Sequence, residues 1–201
     1  MLRSAAHRLL RISAKIVMGL VAFVVLVPVF AFLGYDAIHF QSRWPEITQL
    51  LEAATEEERD PPEIVVRLIR ADSQNGLALP ASTILMDELN VRYPRMGHAY
   101  WNALGVMWWA LTWLHLSEMR QIGLIASRQY MGRDAGPGQG LLLRGYSAAS
   151  QSLFQRPLAA LSLSEAATIV ILPRQANLRW RNPGMLSKRR DFLLTRLQTG
   201  S

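Results

Sequence analysis

The sequence predicts a mostly α-helical body tethered by one transmembrane helix near the N-terminus. Three observations carry this expectation. Ile16 to Tyr35 is twenty residues without a charge, and at 1.5 Å per residue such a helix covers roughly 30 Å, the thickness of a bilayer core. Beyond it, apolar residues recur at helical spacing and no alternating run makes a convincing strand. The composition agrees: of 201 residues, 50% are hydrophobic and 18% charged, which excludes a disordered chain and suits one globular domain plus an anchor.

The anchor is oriented by its flanks. Arg3, Arg8, Arg11 and Lys15 precede the apolar run, whereas Asp36 and Arg43 are the nearest charges after it. This asymmetry predicts a cytoplasmic N-terminus and an exterior body. A cleaved signal peptide would have an apolar core of about 7–15 residues and an Ala-x-Ala-like site. The run here is longer and Val29-Phe30-Ala31 is a poor site, so a retained signal anchor is favoured. Pro28 is tolerable, because a membrane helix re-satisfies the freed carbonyl locally. The segments expected are a cytoplasmic tail at 1–15, the anchor at 16–35, a juxtamembrane linker at 36–60 and the body at 61–197.

Along the body the elements follow in order. Phe40 to Arg59 reads as a short polar helix, with Glu56-Glu57-Glu58 as a solvated face. Pro61-Pro62 is a breaker and a boundary. Ile64, Val65, Leu68 and Ile69 then form a helical apolar stripe. Asp72 to Ala81 contains Asn75-Gly76 and Pro80 and reads as a loop, after which Ser82 is placed to cap a short helix. Ala99 to Leu116 holds Trp101, Trp108, Trp109 and Trp113. It is either a buried core helix or a helix lying partly in a membrane interface, where Trp is enriched. Glu118 to Met131 continues as a helix, and Gly136-Pro137-Gly138-Gln139-Gly140 is a loop without a phosphate-loop pattern. Ser147 to Leu153 and Ser164 to Leu172 are helices, the second opened by a capping box of Ser162 and Glu165. Arg181-Asn182-Pro183-Gly184 is a turn, and Met185 to Leu197 is a final basic helix.

Charge and titratable residues narrow the function classes. The net charge is +7, but its arginines are scattered rather than gathered on one stripe. That argues against nucleic acid and for an anionic membrane surface or a pyrophosphate-bearing lipid. The chain contains no cysteine, which excludes disulfides and a Cys-based zinc site. His98 and His115 have no metal-ligand spacing, so no metal ligands are assigned. Ser82 has no nearby His or Lys to activate it. The carboxylates available for acid–base work are Asp72, Asp87, Glu88 and Glu118; Asp72 ranks first because it ends a helix and opens a loop, although turns commonly carry Asp there.

Several blocks resemble the peptidoglycan glycosyltransferases, the transglycosylase domain of penicillin-binding proteins and of their short monofunctional relatives. Gly145-Tyr146-Ser147-Ala148-Ala149-Ser150-Gln151 through Phe154 and Pro157 carries the likeness most strongly. Leu161, Ser164-Glu165-Ala166-Ala167, Leu172-Pro173, Arg181-Asn182-Pro183 and Arg189-Arg190 extend it in the family's order. Upstream, Pro61 to Asp72 resembles the helix leading to the family's catalytic Glu-Asp pair, and Ala81-Ser82-Thr83-Ile84 resembles its Gly-Ala-Ser-Thr-Ile element. The resemblance covers roughly residues 61–197. It implies a lysozyme-like transglycosylase fold, and substrate-binding positions at Ser82, Thr83 and Gln151. It further implies a polyprenyl-pyrophosphate-linked sugar as ligand and a bacterial inner-membrane location with the body in the periplasm. It leaves room for a divalent metal.

The departures predict altered function. The family's catalytic Glu falls on Ala71, with Asp72 as the surviving partner, and its second essential Glu falls near Gly105. Only nine residues separate Asp72 from Ser82, so a substrate-lining segment is shortened. The expectation is a transglycosylase-like protein with lost or impaired polymerisation and retained lipid-sugar binding. The alternative is a non-catalytic scaffold or assembly subunit working with other cell-envelope proteins, and a third reading is an active enzyme with a relocated carboxylate.

Overall fold

The computed structural model describes residues 2–91, 97–133, 140–175 and 182–199. Gly136 to Gln139 of the expected glycine-rich loop and Arg181 of the expected turn lie outside them. The chain divides into two compact units, Met1–Trp44 and Pro45–Ser201.

The first unit is dominated by α1 (Leu2–Tyr35), a 34-residue helix that runs through Pro28. Its apolar stretch exposes Met18, Leu20, Phe23, Val24 and Phe30. Among the described residues it is the one helix long and apolar enough to cross a membrane. A π-helical turn (Asp36–Phe40) and a 3-10 turn (Gln41–Arg43) follow it. Within them the Tyr35 and His39 rings lie 4.6 Å apart, and Ser42 Oγ donates to the Ile38 carbonyl at 2.7 Å.

The single helix expected from Phe40 to Arg59 is instead broken. α2 (Trp44–Glu52) stops, and α3 (Glu56–Arg59) restarts after Thr55, whose extended backbone begins a capping box with Glu58. The break is sealed by Arg59 Nη2, which donates to the Glu52 and Ala54 carbonyls at 3.0 and 3.2 Å, occupying acceptors that a helix end leaves open. Residues 45–60, placed with the linker by the sequence reading, group with the second unit.

The body is mostly helical, and α7 (Glu118–Arg128) is its axis: Gln121 through Ser127 are buried, with α3, α5 (Ala78–Glu88) and α8 (Tyr146–Phe154) packed around it. Ile122, Leu124 and Ala126 exclude solvent completely, and the buried amide of Gln121 donates to the Leu116 carbonyl at 2.7 Å. α4 (Glu63–Asp72) starts behind Pro61-Pro62 as expected and buries Val65, Val66, Leu68 and Ile69. It packs on α9 (Leu163–Ile171) and α10 (Pro183–Thr199). α6 (His98–His115) lies against α5.

Three expectations require correction. The loop expected from Asp72 to Ala81 shrinks to residues 73–77, because Pro80 sits in the first turn of α5, where a helix has no use for the missing N–H. Ser82 is therefore no cap; it lies inside α5 and its hydroxyl donates to the Leu79 carbonyl at 2.9 Å. The helix expected to reach Met131 ends at Arg128 and gives way to β1 (Tyr130–Arg133), paired antiparallel with β2 (Leu142–Arg144). The pairing slips between Tyr130 and Gly132, and Gly132 takes φ +97° at that irregularity, as a bulge favours. Strands this short carry too little alternation to register as strands in sequence.

The Ser162–Glu165 capping box forms as expected: Ser162 N–H donates to Glu165 Oε2 at 2.8 Å, and Glu165 N–H donates to Ser162 Oγ at 3.3 Å. The Ser162 backbone N–H, then its hydroxyl, then the Arg156 charge hold the Glu165 carboxyl below the ordinary carboxylate range. A folded pKa lowered in this way adds stability above the unfolded value, about 4.3, and that stability is lost as pH falls through the lower folded value. Glu165→Gln is therefore expected to flatten the acid limb of a plot of Tm against pH. An acid limb of unchanged slope would remove this contribution from the account.

Candidate functional site

The site is built on the junction of α3, α7 and α8. Of Glu56-Glu57-Glu58, expected to be a solvated face, Glu56 is exposed and Glu57 half-buried, but Glu58 turns inward. Glu58 is buried, accepting from Thr55 N–H at 3.3 Å, Thr55 Oγ1 at 3.0 Å and Ser147 N–H at 3.0 Å. One carboxylate thus serves the N-termini of both α3 and α8, where exposed amides and helix dipoles favour negative charge. Glu57 Oε2 accepts from Leu158 N–H at 3.1 Å. The Thr55-x-x-Glu58 spacing is a capping-box signature and was the available signal for the buried role of Glu58.

Gly145 makes this junction possible. It takes φ +82°, and a Cβ on it would overlap Glu58 Oε1 and stand 2.7 Å from the Ser127 carbonyl oxygen. Its own N–H donates to the Gln129 carbonyl at 3.0 Å. The result is to hold Tyr146, which is buried, against a cleft of about 140 Å³ lined also by Asp72, Ser73, Pro80 and Gln129.

That cleft adjoins two others. Through Asp72 it meets a cleft of about 230 Å³ formed with Ala71, Gln74, Arg189, Phe192 and Arg196. Through Pro80 and Gln129 it meets one of about 260 Å³ formed with Thr83, Asp87, Glu88, Arg128 and Arg144. The three clefts share Asp72, Pro80 and Gln129 among their linings and are together called the groove; Arg189 and Arg196 line one of them, and Arg128 and Arg144, with Asp87 and Glu88, line another. In the last, Arg144 pairs with Glu88. Beside it, Arg128 Nη2 donates to the Leu50 carbonyl at 3.2 Å, while its Nε is buried without a partner among the described residues.

The sequence-derived residues distribute unevenly over this groove. Asp72 is the last residue of α4, half-buried, and faces two of the clefts, with Ala71 beside it in the larger. Thr83 is exposed on α5, lines the 260 Å³ cleft and donates to the Leu79 carbonyl at 3.0 Å. Ser82, one residue earlier, is buried. Gln151 is exposed on α8 and lines none of the three clefts. Gly105 sits on α6 and lines neither cleft of Asp72. Of the other carboxylates, Asp87 and Glu88 reach the groove. Glu118 lies elsewhere, accepting from Arg70 Nε at 2.6 Å. Arg128, Gln129 and Arg144 were missed by the sequence reading, since no local motif marks residues brought together by a helix end and a two-stranded hairpin.

Chemically, the groove offers guanidinium groups for an anionic ligand, a hydroxyl from Thr83 and carboxylates that accept hydrogen bonds from sugar hydroxyls. Among the described residues no three His, Asp or Glu side chains gather to hold a metal ion. No family model and no curated protein matches the chain.

Proposed function

We propose that the protein is a membrane-anchored, peptidoglycan-glycosyltransferase-like protein with a lysozyme-like body. On this reading it lies in the bacterial inner membrane with that body in the periplasm, and binds a polyprenyl-pyrophosphate-linked sugar without polymerising it efficiently. The observation that carries the reading is Ala71 beside Asp72 in a cleft lined by Arg189 and Arg196, with Arg128 and Arg144 lining another cleft of the same groove. The likeness of residues 145–173 to the family supplies the substrate class.

In chain elongation a sugar hydroxyl attacks an anomeric carbon as the lipid pyrophosphate leaves with the bonding electrons. The hydroxyl proton needs an acceptor and the departing pyrophosphate needs positive charge. The arginines meet the second need. At the family's acceptor position the chain presents a methyl group, a loss worth about 10²–10⁴ in rate. The missing second glutamate lowers the rate further, though such losses do not simply multiply. Asp72, one residue on, is the surviving acid; if residual polymerisation is measured, Asp72→Asn is expected to abolish it.

Binding tests the reading. Full-length protein in nanodiscs is expected to retain lipid-linked disaccharide saturably. Arg144→Ala is expected to weaken retention about tenfold and Arg144→Lys less, because guanidinium makes forked contacts to phosphate oxygens that ammonium does not. Equal retention by all three proteins would contradict the assignment of the groove. Failure to retain the lipid, with crosslinking only to another protein, would instead favour the scaffold reading.

A further inference from the structure

We propose that the outward face of α6 docks into the interfacial layer of the bilayer that α1 spans; this rests on the membrane-anchor reading above. α6 is apolar on two sides. Leu104, Trp108, Leu111 and Thr112 are buried, whereas Trp101, Val106, Trp109, Trp113 and Leu114 are exposed, Val106 to 62% and Trp113 to 68%. Val106, Trp109 and Trp113 follow one another at helical spacing and so share a stripe. No Asp, Glu, Lys or Arg occurs from His98 to Ser117. Isolated exposed apolar residues need no explanation, but a continuous stripe rich in indole does.

Four features favour lipid over other occupants. The first is composition: three exposed tryptophans suit the headgroup level, where the ring is buried and the indole N–H stays wet. The second is geometry: with one face packed in the core, α6 cannot cross a bilayer but can lie along its surface. The third is the border of the stripe. Trp109 and Trp113 also line a groove of about 540 Å³ with Arg70, Asn75, Glu118 and Gln121, so the rings grade into polar side chains on one edge, as an interfacial element requires. The fourth is the tether. Nine residues separate Tyr35 from Pro45, which even fully extended reach only about 30 Å. A body tethered to a membrane anchor meets the bilayer at high effective concentration, so a weak contact suffices.

The absence of cysteine allows a single spin label at each chosen site. Val25→Cys, Val106→Cys and Gln198→Cys would be made one at a time in the full chain. Each would be placed in nanodiscs of phosphatidylethanolamine and phosphatidylglycerol, and collision with oxygen and with a water-soluble nickel chelate would be measured. Val25 reports the anchor, and Gln198 is an exposed position on α10. The label at Val106 is expected to collide with the chelate several-fold less than that at Gln198, and with oxygen more. A label at Val106 as open to the chelate as that at Gln198, while Val25 is shielded, would overturn the inference and leave the anchor standing. Spin–spin broadening at Val106 would overturn it in favour of a second copy. Chelate access at Val25 would remove the anchor and the inference together.

Discussion

Gly145→Ala is expected to destabilise the body by about 4 kcal/mol, at the large end of single-residue effects. Two costs combine. At φ +82° and ψ 157°, the backbone lies in a region open essentially to glycine, worth about 1–3 kcal/mol for any other residue. The added methyl must also displace the Ser127 carbonyl oxygen, 2.7 Å from the Cβ position, and this oxygen belongs to the buried axis helix α7. For a chain of this length the loss corresponds to a fall in Tm of roughly 10 °C, followed by far-UV circular dichroism. A variant melting within a degree or two of the parent would show that the α7–α8 junction relaxes freely.

Glu58→Ala is expected to cost about 3 kcal/mol. The substitution strips the acceptor from the part-buried Thr55 and Ser147 N–H groups, and each donor left without a partner away from water costs about 1–3 kcal/mol. Glu58→Gln keeps one carbonyl oxygen in place but loses the charge facing two helix N-termini, and is expected to cost about 1–2 kcal/mol. The order Ala worse than Gln is the diagnostic, because a surface glutamate would show neither. The pair is also coupled. In a Glu58→Ala background the overlap with Oε1 disappears, but the Ser127 carbonyl remains, so Gly145→Ala should stay damaging and the two effects should not add. Since α8 begins with Tyr146 on the Asp72 cleft, both substitutions are expected to weaken ligand retention in protein that still folds.

What could be read from the chain alone depended on how local the signal was. The long apolar helix, the α4 stripe after Pro61-Pro62 and the Ser162–Glu165 box are set by neighbours within a few residues, and each has the expected form. Pro80 misled because the same residue breaks a helix interior and fits a helix's first turn. Glu58 was misjudged because a run of three glutamates ordinarily faces water, whereas its burial comes from Ser147, 89 residues away. Trp109 and Trp113 could not be separated from Trp108 without knowing which face of α6 meets α5. Of the groove, Asp72, Thr83 and the candidate carboxylates Asp87 and Glu88 were accessible from sequence. Arg128, Gln129 and Arg144 were not, because the short β1–β2 hairpin that sets their neighbourhood has no pattern of its own.

The most direct measurement is a chain-growth assay with purified full-length protein, lipid-linked disaccharide and a bilayer, with bound lipid measured in the same sample. The account predicts saturable retention of the lipid and no glycan strand beyond trace. Vigorous strand growth would contradict it, by showing that a side chain other than that of residue 71 accepts the proton.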